Sequence, residues 1–265
     1  MSAADYSLLD NPAISMNSFY PRRNWTNTPQ GAEDHTIAVD DGVQLSCRFF
    51  PVGQVSPAGD GTGNGSPTIL FFYGNGETAA DYDSIAPLYN RTGVNFFVAD
   101  YRGYGRSGGT PEFNAMLADA HKVLEGMSEV MKEGRYTGGI FVMGRSMGRH
   151  AAFEIAAKSP DGVKGVILES GRPTLGQFVN GLDESAAREL EANYRAKVAS
   201  ISIPALVIHG ELDNLAPLQD AVSMYESLAS SDKRLLTIPG AGHNDLMHVG
   251  INEYFLAIKD FVAAA

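Results

Sequence analysis

The sequence predicts an α/β domain in which one mostly parallel sheet of eight strands is flanked by helices. Three observations predict it. From residue 68 onward, short and almost wholly apolar runs alternate with helix-permissive stretches, and an apolar run without alternation is how a strand buried on both faces reads. A hairpin pattern precedes that series, two alternating runs around a turn that contains Asp-Gly. Finally, the apolar run at 139–143 stops at Gly144-Arg145-Ser146-Met147-Gly148 and a helix-permissive stretch follows at once, which puts a G-x-S-x-G between a strand and a helix.

Each element follows from its residues. Positions 1–34 are rich in Asn, Pro and Ser and show no clear period, so they read as an extended arm, pinned to the domain by burial of Ile14, Phe19, Tyr20 and Trp25. Residues 35–39 and 43–50 are the hairpin strands about Asp40-Asp41-Gly42, and the Gly/Ser/Pro-rich segment 53–67 reads as a mobile surface loop. Strand 68–73, helix 79–91, strand 95–99 and helix 112–132 come next. The elbow strand and its helix at 149–158 follow, then strand 163–168, strand 205–208, helix 218–228, strand 235–238 and a last helix near 250–262. Between 171 and 200, Leu175, Phe178, Val179, Leu182, Ala186 and Leu190 recur among charges, the pattern of one or two amphipathic helices. This insertion lies at the level of the elbow, where it would hang over the serine as a short cap. The expected organisation is an arm at 1–34 and a single domain at 35–265 with a small cap at about 171–200.

Composition narrows the function. A chain of 265 residues fits one large domain that buries roughly three quarters of its unfolded surface, so no disulfide framework is needed. The one cysteine, Cys47, lies in an alternating run and reads as a half-buried apolar residue. A net charge of -11 argues against nucleic acid and anionic membrane surfaces, both of which select basic patches. The N-terminus lacks a basic segment followed by an apolar core, and no run is long enough to span a bilayer, so a cytoplasmic location is expected.

The chemistry is read from the elbow outward. Gly144 and Gly148 are required because a Cβ at either would collide where the chain doubles back, and Ser146 is held in a strained conformation that exposes its hydroxyl. A serine hydroxyl is a poor nucleophile until an oriented base takes its proton. His35, His121, His150 and His209 fall in strands or helical runs and read as structural or surface residues. His243 lies in the glycine-rich loop Pro239-Gly240-Ala241-Gly242-His243-Asn244-Asp245 after the last strand, with His248 in reserve at the start of the terminal helix. Asp213, in the loop after the strand at 205–208, is the candidate acid, with Glu211 and Asp245 as alternatives. Two NH donors are needed for the oxyanion: Met147 after the nucleophile, and Asn75 in Tyr73-Gly74-Asn75-Gly76 after an earlier strand. Gly103-Tyr104-Gly105-Arg106-Ser107-Gly108 matches a dinucleotide fingerprint, but no helix opens within it and Gly109-Thr110-Pro111 follows. It reads as a tight turn beside the active-site mouth, and neither metal nor organic cofactor is called for.

With these motifs, the chain resembles the α/β-hydrolase superfamily, in the branch of Bem46-like and ABHD-type serine hydrolases, from about residue 35 to the C-terminus. The resemblance rests on residues 72–76 (Phe-Tyr-Gly-Asn-Gly), 100–107 (Asp-Tyr-Arg-Gly-Tyr-Gly-Arg-Ser), 144–148, 209–213 (His-Gly-Glu-Leu-Asp) and 240–245, in the family's order. It implies an α/β-hydrolase fold, a triad of Ser146, Asp213 and His243, and an oxyanion hole from the backbone of Met147 and Asn75. The family usually has His-Gly where this chain has Tyr73-Gly74, so Tyr73, Gly74 and the unusual Arg145 become candidate substrate contacts. The expected activity is cleavage of a small-molecule ester or thioester by acyl transfer, and a cap of about thirty residues favours a small or medium acyl chain. The alternatives are a peptidase that anchors a free amino group on Glu77 or Glu169, and a catalytically silent binding protein on the same scaffold.

Overall fold

The computed structural model describes residues 5–40, 42–53 and 65–264. Eight strands form one sheet in the order β1-β2-β4-β3-β5-β6-β7-β8. β1 (Glu33–Asp40) and β2 (Val43–Phe50) are the antiparallel hairpin, and β2 joins the rest by antiparallel pairing to β4 (Asn95–Ala99). From β4 through β3 (Thr68–Phe72), β5 (Ile140–Arg145), β6 (Val163–Glu169), β7 (Ala205–Gly210) and β8 (Lys233–Ile238), every pairing is parallel. β3 and β4 are buried along their whole length, as their uninterrupted apolar runs predict. Asp41 and positions 54–64 of the predicted surface loop lie outside the described residues.

Helices cover both faces. Phe141 of β5 meets Phe261 of α8 (Ile251–Ala263), whereas Gly144, three residues on and so on the opposite face, lies against Ala152 of α4 (Arg149–Lys158). The 21-residue α3 (Phe113–Glu133) packs beside α4 and reaches β1. On the α8 face, Tyr89 of α2 (Ala86–Arg91) stacks on Phe96 and shares a 2.8 Å hydroxyl contact with Tyr254. Among the described residues no helix is long and apolar enough to cross a membrane.

Two elements depart from expectation for local reasons. The predicted helix at 79–91 is a 3-10 turn, Ala79–Tyr82, closed by a Thr78/Asp81 capping box, and then α2, whose early Pro87 suits a helix start and not a continuation. The N-terminal segment is not wholly extended: it carries a 3-10 turn at Ser7–Asp10 and the short α1 (Pro12–Ser18), capped by the Asn11 side chain and opened by proline. Ile14 and Phe19 are buried as expected, but Tyr20 is 60% exposed. Within the insertion, a 3-10 turn at Gly176–Val179 precedes α5 (Glu184–Ala199), which buries Leu190, Tyr194 and Val198 against neighbours that include α4. α6 (Leu218–Ser227) follows β7, and a single turn, α7 (Leu246–Val249), leads into α8.

Candidate active site

Parallel strands all point their carboxyl ends to one edge, and there the loops after β3, β5, β7 and β8 meet. β5 ends at Arg145, and Ser146 sits at φ +50°, a left-handed conformation that costs a serine on the order of 1–3 kcal/mol and persists because the surroundings hold it. One 3-10 turn, Ser146–Gly148, separates strand from α4. The glycines are compelled by space. A Cβ on Gly144 would lie 2.6 Å from the Gly148 carbonyl and 2.7 Å from Cα of Arg149, and one on Gly148 would enter the Phe72 carbonyl at the end of β3.

His243 comes back from the loop after β8 to Ser146. The serine hydroxyl lies 2.9 Å from Nε2, and Nδ1 lies 2.7 Å from Oδ2 of Asp213. The other carboxylate oxygen of Asp213 accepts the backbone NH groups of Leu215 (2.9 Å) and Ala216 (2.7 Å). Burial pushes the Asp213 carboxyl up, but His243 and those amides outweigh it and hold the group below the usual aspartate range. The competing residues have other work. Glu211 and Asp245 accept NH groups within the β7 and β8 loops, from Gly240 and Gly242. His209 is fully buried with Nε2 on the Ala216 carbonyl, His150 contacts the Tyr194 hydroxyl, His121 meets Glu154, His35 stacks on Phe97, and His248 is exposed on α7.

The loop after β3 is fixed from three sides. The Gly74 NH is taken by Glu77 Oε2 at 2.9 Å. The Asn75 side chain donates to the Ser18 carbonyl (2.7 Å) and accepts from the Tyr20 NH (2.9 Å) and the Tyr104 hydroxyl (2.7 Å). The N-terminal segment and the Gly103–Gly108 turn therefore clamp this loop, and both Asn75 and Met147 line the cavity over Ser146. The expectation that Tyr73 and Gly74 contact substrate is corrected. Tyr73 is fully buried, its hydroxyl donates to Asp100 Oδ1 at 2.7 Å and its carbonyl accepts from Tyr101, and neither it nor Gly74 lines the cavity. The phenol sits where it can reach Asp100, so the ring supports the loop from beneath.

Arg145 does line the cavity, and it is the tie among these loops. Its guanidinium pairs with Glu77 and with Glu169 (3.2 Å), and Nη2 donates to the His243 carbonyl (3.3 Å) and to Oδ1 of Asn244 (2.7 Å). Burial works against its charge, but Glu77 and Glu169 more than restore it, so the pKa is raised. Ser170 Oγ donates to the same His243 carbonyl at 3.3 Å. Glu169 is itself held by the Tyr254 hydroxyl at 2.7 Å. The cavity, about 450 Å³, is completed by Tyr20, Arg149, Arg172 and Gln177, none of which motif spacing marks. Arg172 carried one usable signal, its place just beyond the carboxyl end of β6.

A sequence model of the serine aminopeptidase S33 family matches residues 64–177 and 185–248. The YfhR protein of Escherichia coli K12 is 30% identical over 244 residues, covering 88% of this chain and 82% of its own. The bem46 protein of Schizosaccharomyces pombe is 28% identical over 207 residues, 74% of this chain and 67% of its own. The esterase Pf2001 of Pyrococcus furiosus shares the fold, with a TM-score of 0.69 at 20% identity over 92% of this chain and 98% of that one.

Proposed function

The chain belongs to the serine aminopeptidase S33 family as a Bem46-like α/β hydrolase, and from that premise we propose that it cleaves carboxylic ester or thioester bonds through an acyl-enzyme on Ser146. The observation that carries this reading is the unbroken hydrogen-bond path from Ser146 Oγ through His243 to Asp213. In it, Oγ adds to the substrate carbonyl carbon as its proton passes to Nε2, and Asp213 holds the Nδ1–H tautomer and stabilises the imidazolium. The backbone NH groups of Met147 and Asn75 take the oxyanion. The alcohol or thiol leaves with the proton from Nε2, and water, deprotonated by the same nitrogen, releases the acid and restores the serine.

Ester cleavage is favoured over removal of an amino-terminal residue by the fate of the acids near the site. A free amino group needs an unspent carboxylate. Glu77 and Glu169 are both bonded to Arg145, and Glu169 is 2% exposed, so an amine reaches neither without breaking that pairing. Replacement of Ser146 by Ala is expected to lower turnover of p-nitrophenyl butyrate by more than about 10³-fold and to end labelling by a fluorophosphonate probe. Turnover at the wild-type rate in the variant would remove Ser146 from the chemistry, and a wild-type protein that neither turns over esters nor takes the label would be a silent scaffold.

A further inference from the structure

The cavity reverses the charge balance of the chain. The sequence has 31 acidic and 20 basic residues, yet three arginines line the cavity and one acid, Glu77, does. Glu77 is committed to Arg145, and the second partner of Arg145, Glu169, sits behind it. Arg149 and Arg172 remain. Arg149 is 6% exposed and its guanidinium faces backbone carbonyls: Nε donates to Arg172 (3.0 Å), Nη1 to Ser146 itself (2.8 Å) and Nη2 to Thr174 (2.9 Å). These three bonds leave one N–H on each terminal nitrogen. Arg149 forms no ion pair among the described residues; Glu191 and Asp220 favour its charge from further off, but burial, with Arg172 adding to it, draws its pKa down to about 10. Arg172 is half-buried, with its guanidinium beside Gly176 and no ion pair among the described residues. A guanidinium with N–H groups to spare and no ion pair is open to a partner, and its planar fork suits a carboxylate or phosphate.

We propose that the substrate of this site is an ester or thioester bearing an anionic group, a carboxylate or a phosphate, received by Arg172 with Arg149 behind it, beside the acyl centre at Ser146. This rests on the acyl-transfer reading above. The anion supplies the ion-pair partner that Arg172 lacks, and the same two arginines repel a free amino group.

The test uses matched esters that differ in charge. p-Nitrophenyl hydrogen glutarate against p-nitrophenyl valerate puts a carboxylate on the acyl side, 4-acetoxybenzoate against its methyl ester puts it on the leaving side, and 4-acetoxyphenyl phosphate against 4-acetoxyphenyl methyl ether replaces carboxylate by phosphate. At least one pair is expected to favour the anion by about ten-fold or more in kcat/KM, with the ratio falling toward one in Arg172→Gln, partly kept in Arg172→Lys, and shrinking as salt is raised. Neutral esters preferred in every pair, or a preference unchanged in Arg172→Gln, would overturn the proposal. Calorimetric titration of the Ser146→Ala protein with glutarate, 4-hydroxybenzoate and phenyl phosphate separates this from failure of the chemistry. Binding weakened about ten-fold by Arg172→Gln upholds the anion site even where no ester is turned over, and absence of binding while neutral esters are cleaved removes the anion site alone.

Discussion

Arg145 shows how much rests on a single side chain between strand and nucleophile. It joins Glu77 of the β3 loop, Glu169 at the end of β6 and the backbone of His243 in the β8 loop, so two site loops and a strand end share one guanidinium. Arg145→Met would strand two carboxylates, one of them buried, and is expected to cost about 3–5 kcal/mol in urea unfolding, because an unpaired buried charge is worse than no pair. Arg145→Lys keeps the charge but not the fork that reaches His243 and Asn244 together, so a smaller loss, about 1–2 kcal/mol, is expected alongside a fall in kcat for p-nitrophenyl butyrate. A lysine variant with unaltered kcat would show that the fork does not position the histidine. The residue stood out in the sequence as unusual, but its partners did not, since Glu77 and Glu169 lie 68 and 24 positions away. The same holds for Tyr73, whose departure from the family pattern was visible and whose contact with Asp100 was not.

The elbow is where strand, turn and helix constrain each other most. β5 delivers Ser146, Gly148 passes under the end of β3, and α4 departs at once, so the loop carrying Asn75 and the turn carrying Met147 touch through the Phe72 carbonyl. Gly148→Ala is therefore expected to displace β3's end from the elbow, lowering stability by about 1–3 kcal/mol and kcat/KM for p-nitrophenyl butyrate by at least ten-fold, read by unfolding and by initial rates. Wild-type activity in this variant would mean that the loop carrying Asn75 is free to yield. Element types and order were readable because buried parallel strands announce themselves as apolar runs. The break of 79–91 and the helices before residue 20 were not, because capping and short-range turns there outweigh the weak period. In the insertion, apolar spacing pointed to helices, but only packing separates α5, which covers α4, from Arg172 and Gln177, which face the cavity.

Across the whole molecule, the buried Asp100 makes stability depend on pH. Burial pushes its carboxyl up to about 6, although the Ala79 NH and the Tyr73 hydroxyl favour the ionised form. The folded protein thus holds this proton more tightly than the unfolded chain. The stability this contributes is complete below the ordinary aspartate pKa of 3.8 and is lost as pH rises through about 6, a swing of about 3 kcal/mol for a displacement of about two pKa units. Asp100→Asn keeps an acceptor for Tyr73 but has no proton to lose. Relative to wild type it is expected to gain about 2–3 kcal/mol between pH 4 and pH 7 in urea unfolding, whatever its absolute stability. A wild-type-minus-variant difference that does not change with pH would refute the assignment. Carboxylates held low, Asp213 and Asp34 among them, act in the opposite sense and lose their contribution as pH falls, which is why the comparison is made against the variant.

Fold class, strand order of appearance, the elbow and the residues that could complete its chemistry are all local or periodic features, carried by neighbours in the chain and by motif order, and so are legible in the sequence. Pairings between distant side chains are not. The approach of His243 to Ser146 across 97 positions, the committal of both candidate amine anchors to Arg145, and the two arginines left without an ion pair arise when parallel strands bring separate loops to one edge. Those facts depend on distance and burial, which sequence separation does not encode, and they are what turns a hydrolase scaffold into a proposal about the charge of its substrate.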